Sequence, residues 1–467
     1  MTPGPSGKAP AGSLLLLAAV GIGTFMSALD GSIVGVVLPV MRHEMNTSVA
    51  SIQWVVTIYL LVVSGTLLGF GRLGDMIGHK STYIWGFVVF VAGSALCGLA
   101  PGEASLVAFR AMQAIGAAML FANSLAILTA DFPPERRGRV LGMQAMMTYL
   151  GLTVGPPLGG WLAGAYGWRA IFFINVPIGV VAVAMAIRAI PADGGELRLG
   201  HFDWAGAGVF FAGLTALVVA LNRGDSAGWA SPTVLGLMGA AVVAGTAFIM
   251  LERRSERPML DLSLFRDMTF SASTVSAVLN YITVYTVVFL MPFYLQQGLG
   301  LTPARTGLLL AVQSVVMAVV APIAGRLSDR TGTRAPAVGG MVVLAVGLVA
   351  LGLLGARGSE AGVALALGVV GLGTGTFISP NSSALMGSAP RNRLGIASGV
   401  LAEARNVGMV LGVGLAGAVF TSSLAGAETG PNPAFFNALS VSFFVAAGVA
   451  AAGAVTCLFA IARPAAR

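Results

Sequence analysis

Asp30 lies in the stretch Ala28-Leu29-Asp30-Gly31-Ser32-Ile33-Val34-Gly35-Val36-Val37-Leu38-Pro39, and residues 13–29 before it carry no charge. A carboxylate in so apolar a segment costs at least ~2.5–3.5 kcal/mol on membrane-insertion scales. It persists where it faces a wet cavity, finds a partner or spends part of a cycle protonated. The chemistry on offer is the handling of a proton or a cation, with a structural pair that locks two helices as the alternative.

Three more ionisable groups stand in apolar runs: Arg110, Glu403 and Arg405. Counted in from Glu103, Arg110 is about 10 Å deep, and Asp30 is about 14 Å from the same side counted from Pro39. These depths permit contact, and a change in their separation is a way to load and release a proton. A static structural arginine is the alternative. At 100° per residue, Glu403 and Arg405 diverge by about 200° around one helix, so a direct pair on one face is not expected. One of them can face a central cavity while the other faces a neighbouring helix or a gate. Glu403 lies about 15 Å in from Arg393, a depth that suits an acid for cationic substrates or a second proton. It equally suits an acid paired with an arginine of another span. Asn406, Gln113 and Asn123 join Glu403 as the expected polar lining of a substrate cavity.

The elements that must hold these groups are membrane spans. Of the 467 residues, 56% are hydrophobic and only 9% charged, with a mean hydropathy of +0.88. No soluble core of this size could hide that much apolar surface, so the chain is a polytopic membrane protein. The 64 glycines fit helices that pack closely through small residues. Cys97 and Cys457 fall in apolar runs and read as buried thiols, and His43, His79 and His201 fall in polar connections. No metal site or cofactor is expected. The first apolar run is too long for a signal peptide and reads as the first span.

Apolar runs predict fourteen spans, near 14–39, 51–71, 82–100, 105–129, 139–165, 169–190, 204–222, 232–251, 269–296, 304–326, 335–355, 362–387, 394–423 and 434–462. With the N-terminus inside, nineteen Lys and Arg fall on the cytoplasmic side and five outside, with Arg110 and Arg405 within spans. Both termini are then cytoplasmic, in a multi-pass protein of the cell membrane. The net charge of +8 is a topology signal rather than a sign of nucleic-acid binding. The expected organisation is a cytoplasmic tail (1–13), a six-helix bundle (14–190) and an insert (191–268) of loop, two spans and interfacial linker. A second six-helix bundle (269–462) and a short cytoplasmic tail (463–467) follow.

An internal repeat supports the two halves. Gly71-Arg72-Leu73-Gly74-Asp75-Met76-Ile77-Gly78-His79-Lys80 reappears as Gly325-Arg326-Leu327-Ser328-Asp329-Arg330-Thr331-Gly332-Thr333-Arg334. The copies end the second and tenth spans, equivalent places once the insert is set aside. Gly71 and Gly78 permit a tight helix end and a sharp turn, and Asp75 can accept hydrogen bonds at a neighbouring helix terminus.

These residues resemble the major facilitator superfamily, and within it the fourteen-helix drug:proton antiporters of the multidrug efflux type, over essentially the whole chain. Leu29-Asp30-x-Ser32-Ile33-Val34 with Leu38-Pro39 resembles that group's first-helix signature, which implies that Asp30 is the proton-coupling acid, with Arg110 as its partner. Gly35 stands where the group usually has Asn. The repeated turns resemble the superfamily's loop between helices two and three, which implies a cytoplasmic gate formed by Gly71, Asp75, Gly78 and Lys80 and by Gly325, Asp329, Arg330, Gly332 and Arg334. Met76 and His79 replace usual basic residues, so the first latch is expected to be the weaker. Arg110-Ala111-Met112-Gln113-Ala114 resembles the fourth-helix motif. Gly151-Leu152-Thr153-Val154-Gly155-Pro156-Pro157-Leu158-Gly159-Gly160 matches the antiporter motif of the fifth helix at all its fixed positions. Phe202-Asp203-Trp204 resembles a signature of the fourteen-helix group, and Asp203 by itself suits a helix N-cap.

The expected fold is all-α and integral to the membrane: two pseudo-symmetric six-helix bundles plus two inserted helices. The expected activity is proton-coupled efflux of hydrophobic, cationic or neutral, drug-like compounds by alternating access. Export of one endogenous metabolite or lipid is the alternative, and a non-transport membrane receptor is a further one. No nucleophile–base set or phosphate loop points to an enzyme. The expected partners are a small hydrophobic substrate, protons and membrane lipids, with no nucleic acid and with the chain acting as a monomer.

Overall fold

Ser231, Thr302 and Asn432 each cap a helix whose first residue is proline, their side chains accepting from a backbone N–H in the first turn. The proline has no N–H to leave unsatisfied, so cap and proline together start the helix sharply. Such local signals and long apolar runs build an all-helical chain, with no strand among the described residues. The computed structural model describes residues 11–132, 134–191, 203–255, 260–390, 393–424 and 432–460. Most of the predicted N-terminal tail, the C-terminal tail and the predicted connections over 192–202 and 425–431 lie outside them.

The first bundle comprises α1 (Ala11–Glu44), α2 (Val49–Ile52), α3 (Trp54–Ile77), α4 (His79–Gly98), α5 (Glu103–Asp131), α6 (Pro134–Tyr166), α7 (Ala170–Phe173) and α8 (Asn175–Ala189). The inserted pair is α9 (Trp204–Ala227) and α10 (Pro232–Arg254). The second bundle comprises α11 (Met268–Phe293), α12 (Pro303–Thr331), α13 (Arg334–Leu354), α14 (Glu360–Ser388), α15 (Leu394–Leu424) and α16 (Pro433–Leu458). Thirteen helical spans among the described residues are long and apolar enough to cross a membrane. The remaining predicted span lies within α6, whose 33 residues extend about 50 Å.

The helices run beyond their apolar centres. α3 and α12 continue through the repeated motif to Ile77 and Thr331, and the chain turns only at Gly78 (φ +100°) and Gly332 (φ +84°). Continuing the helix keeps backbone groups bonded near the membrane surface, and the positive φ explains a glycine at both turns.

Packing repeats as the sequence does. Gly86 and Gly116 bring the backbones of α4 and α5 together, and Gly340 and Gly373 do the same for α13 and α14. On α6, Gly151, Gly155 and Gly159 lie against the α1 backbone, as Gly408 and Gly412 on α15 lie against α11. A Cβ at any of these positions would fall within 3 Å of a neighbouring atom, so each helix pair depends on the missing side chain.

The inserted α9 touches both bundles: Phe211 lies over Gly65 of α3, and Leu221 over Gly414 of α15. Asp203 caps α9 through the Gly206 N–H at 2.7 Å. α10 packs on α9 and leaves Val242 and Val243 exposed. After α10, a 3-10 turn at Leu262–Arg266 buries Leu264 with Phe270, Leu385, Ala397 and Val400. Asp261 pairs there with Arg393 at 2.6 Å.

Candidate proton and substrate site

Asp30 is completely buried on α1, with donors from two other helices aimed at it. Arg110 Nη1 on α5 donates to Oδ2 at 2.5 Å, and Gln113 Nε2, one turn on, donates to Oδ1 at 2.9 Å. Asn175 Nδ2 of α8 also donates to Oδ1, at 3.3 Å. Arg110 is itself held on every side: Nε donates to the Val55 carbonyl at 3.1 Å, Nη1 donates to Gln113 Oε1 at 2.8 Å, and the guanidinium lies 4.1 Å above the Tyr59 ring. Ser94 supports the far side, receiving a hydrogen bond from Asn175 Nδ2 at 3.0 Å. The arrangement is an ion pair in which both carboxylate oxygens and the Nε and Nη1 groups of the guanidinium are engaged, which is what makes two buried charges tolerable.

A cavity of about 880 Å³ lies between the bundles. Phe121, Thr148 and Tyr149 line it from the first bundle, and Tyr281, Phe377, Asn381 and Arg405 from the second. It extends to Gly71, Arg72 and Asp75 at the Gly78 end of the molecule. A smaller pocket of about 120 Å³ shares Tyr149, Tyr281 and Arg405 with it, adds Tyr285 and Asn406, and reaches Ser27, Gly31 and Tyr59 beside Asp30. The Tyr59 side chain, fixed by its hydroxyl to the Ser27 carbonyl at 3.3 Å, thus stands between this pocket and Arg110.

The opposite end is shut. Gln53 Nε2 donates to the Val413 carbonyl at 2.9 Å, and Gln296 Nε2 to the Val36 carbonyl at 2.6 Å, each bond joining the two bundles. α6 and α12 interlock there as well: Gly160 faces the Pro303 carbonyl, and Gly307 faces that of Pro156. The glycine–proline motif of α6 therefore grips α1 with one stripe and α12 with another.

At the Gly78 end, Asp75 pairs within its own turn, with Arg72 at 3.2 Å and His79 Nε2 at 3.4 Å. His79 Nδ1 lies 2.8 Å from Asn123 Oδ1. Lys80 Nζ donates to the carbonyls of Ile187 and Ile190 at the end of α8, at 3.0 and 2.5 Å. Gly325 faces Ser379 of α14, while Asp329, Arg330 and Arg334 are exposed. Neither Asp329 nor Arg330 makes an ion pair among the described residues.

Of the four residues expected to line a substrate cavity, only Asn406 does so. Gln113 is consumed by the Asp30 pair, and Asn123 by His79 and the Phe70 carbonyl. Glu403 turns toward α3, where the Ser64 hydroxyl donates to its carboxylate. Its position is corrected for the reason the helical angle gives: Arg405 takes the cavity side, and Glu403 the side facing α3. Sequence reasoning missed Asn175 and Tyr59 around Asp30 and the tyrosines of the cavity. Asn175 carried a usable signal as an isolated amide in an apolar run, whereas the tyrosines carried none.

The Major Facilitator Superfamily family model matches residues 20–260 and 274–467. The riboflavin transporter RibZ of Clostridioides difficile is 33% identical over 447 residues, covering 95% of this chain and 97% of that protein. The multidrug resistance protein Stp of Mycobacterium tuberculosis is 34% identical over 413 residues, covering 88% and 76%. The tetracenomycin C resistance and export protein of Streptomyces glaucescens is 32% identical over 406 residues, covering 87% and 76%. Among solved structures, a bacterial homologue of the human lysosomal transporter Spinster, inward-facing and unoccupied, superposes with a TM-score of 0.70 at 17% identity. That match covers 98% of this chain and all of that one. A peptide transporter, POT, superposes with a TM-score of 0.68 at 16% identity, covering 93% of both chains.

Proposed function

This chain belongs to the Major Facilitator Superfamily, and on that premise we propose that it exports hydrophobic, drug-like aromatic compounds from the cell in exchange for protons. It is a multi-pass membrane transporter and not an enzyme. The observation that carries proton coupling is the buried Asp30–Arg110 pair, separated by Tyr59 from a pocket that shares its lining with the main cavity. Protonating Asp30 neutralises the acid and releases Arg110 to its other acceptors, so proton binding and the packing of α1 against α5 are linked. The aromatic lining of Phe121, Tyr149, Tyr281 and Phe377 suits an apolar, flat substrate.

The positive-inside distribution supports a cytoplasmic position for both termini and for the cavity mouth. The open mouth, Asp329 and Arg330 without ion pairs among the described residues, and the joined opposite end support reading this as the substrate-loading state. Closing would bring the repeated Gly78 and Gly332 turns together as the gate while the Gln53, Gln296 and Gly160 contacts part. On this reading the chain works as a monomer in lipid. Export of a single metabolite is the second reading, favoured by two relatives named for one compound each.

The test is export from proteoliposomes under an imposed pH gradient, with proton movement followed alongside. Wild type should move protons when substrate is added, and Asp30→Asn should not. Full gradient-driven export by Asp30→Asn would overturn proton coupling through this pair.

A further inference from the structure

Among the described residues, Arg405 is the one charge lining the cavity beyond its mouth. Asp75 and Arg72 stand at the mouth and pair with each other, while Asp30 and Glu403 face away from the lumen among Gln113, Asn175 and Ser64. Arg405 borders both the main cavity and the inner pocket. Among the described residues its guanidinium makes no hydrogen bond, ion pair or ring contact. Glu403, two residues away, is directed at α3, where it accepts from Ser64; it lies within electrostatic reach of Arg405 but forms no ion pair with it among the described residues. Tyr149, Tyr281 and Tyr285 border the same inner pocket, and their hydroxyls likewise bond to nothing among the described residues.

An arginine at membrane depth is costly unless an acceptor answers it. Here Arg110 shows the answered case, with acceptors at Asp30, Gln113 and Val55. Arg405 shows the unanswered one, bordering the cavity beside three tyrosines with no hydrogen-bond acceptor for its donors among the described residues. The complement of such a wall is a flat apolar body with oxygen acceptors, best of all negative ones, at one edge. A cation would face the Arg405 charge there and find no lining carboxylate among the described residues, with only aromatic rings to attract it.

We propose that Arg405, assisted by Tyr149, Tyr281 and Tyr285, is the specificity-determining group of this transporter. Its substrates are planar aromatics carrying an acidic or oxygen-rich edge: a carboxylate, a phenolate or a quinone carbonyl. The inference rests on the reading of the chain as an exporter, replaces the expectation of cationic substrates, and holds whether or not protons drive transport.

The test is equilibrium binding to purified protein in phosphatidylcholine nanodiscs, which hold no anionic headgroup to occupy Arg405, and with no gradient. The probes are anthraquinone-2-carboxylate, the neutral 2-(hydroxymethyl)anthraquinone and the cation ethidium. Wild type should bind the carboxylate tightest and ethidium weakest. Arg405→Gln should weaken the carboxylate by about 10–100-fold, the loss of a charge-assisted pair, and the neutral probe by far less. Arg405→Lys should recover part of the carboxylate affinity by restoring charge without the planar fork. Tyr281→Phe, which removes one hydroxyl and leaves the ring, should weaken both anthraquinones a few-fold at an unchanged melting temperature. Tightest binding of ethidium, or equal losses for all probes in Arg405→Gln with the melting temperature unchanged, would overturn the assignment. Because no gradient is present, such a result leaves proton coupling standing, and a failure of Asp30-dependent export leaves this assignment standing.

Discussion

Replacing Asp30 by Asn keeps the shape and removes the charge, and the surrounding donors set what this costs. In the native site Oδ2 receives Arg110, while Oδ1 receives Gln113 and Asn175. An asparagine has one acceptor oxygen. If it turns that oxygen to Arg110, its amide N–H₂ confronts the donors of Gln113 and Asn175; if it turns the other way, it confronts Arg110. Breaking a buried ion pair by removing one partner costs about 3–5 kcal/mol. The lower end, about 3 kcal/mol, is expected here, because Arg110 keeps the Val55 carbonyl, Gln113 Oε1 and the Tyr59 ring. Arg110→Gln alone should cost as much or more, by stranding the carboxylate. The double variant Asp30→Asn/Arg110→Gln should be at least about 2 kcal/mol more stable than the sum of the singles implies. The assay is reversible denaturant unfolding in micelles on all four proteins. Additive losses, or an Asp30→Asn protein as stable as wild type, would refute the ion pair as the resting state and with it this account of how a proton is held.

Three shorter predictions follow from other parts of the molecule. Gly160→Ala places a Cβ 2.2 Å from the Pro303 carbonyl, so spin labels at the ends of α6 and α12 nearest that contact should move apart, and an unchanged distance distribution would refute the interlock. Asp75→Asn removes a half-exposed pair worth at most about 1 kcal/mol, so it should leave stability and substrate affinity nearly unchanged while lowering the maximal transport rate; a loss confined to affinity would place Asp75 in binding instead. The Ser263 hydroxyl, assisted by its N–H and by Arg393, holds the Asp261 carboxyl below its ordinary range, so its contribution is complete above about pH 4 and is lost as pH falls through the lower folded value. Hydrogen exchange over 260–268 should therefore be slow and flat from pH 5 to 8 after correction for intrinsic rates and fast in Asp261→Asn, and equal rates in the two proteins would refute the clamp.

The parts of this fold that were readable are those written in local chemistry. The spans follow from apolar length, the turns at Gly78 and Gly332 from a doubled motif, and the Asp30–Arg110 contact from the scarcity of charge at matching depth. Angular position along one helix was also readable: the divergence of Glu403 and Arg405 is a property of the α-helix itself. Which of the two faces the cavity was not, because that depends on where α3 and α11 sit relative to α15. The three cavity tyrosines were hidden for the same reason. They come from α6 and α11, and an aromatic in a membrane helix has the same sequence appearance whether it meets lipid, core or lumen. Helix ends were underestimated, since α3 and α12 stay helical through polar residues that read as loop.

The position of α1 makes one mechanical argument possible. The turn of α1 that presents Asp30 to Arg110 also places Leu29, Ser32 and Ile33 against Gly151, Gly155 and Gly159 of α6. The Ala28, Ser32 and Ile33 side chains enter this seam, and the Ser32 hydroxyl donates across it to the Gly151 carbonyl, so α1 and α6 are packed to move as one body. α6 in turn holds α12 of the other bundle through Gly160 and Gly307. A change in the bonding of Asp30 on protonation is therefore applied to a rigid helix pair whose far contact closes the end opposite the cavity mouth. Arg405 occupies the other bundle, across the inner pocket from Tyr59 and Gly31. A substrate anion seated on Arg405 would lie against the wall behind which Asp30 is held. Antiport has proton and substrate ride in opposite halves of the cycle, so the anion must leave Arg405 before a proton settles on Asp30. The expected signature is an Asp30→Asn protein that still binds the carboxylate probe but no longer exports it down an imposed pH gradient; full gradient-driven export by that variant would exclude this order.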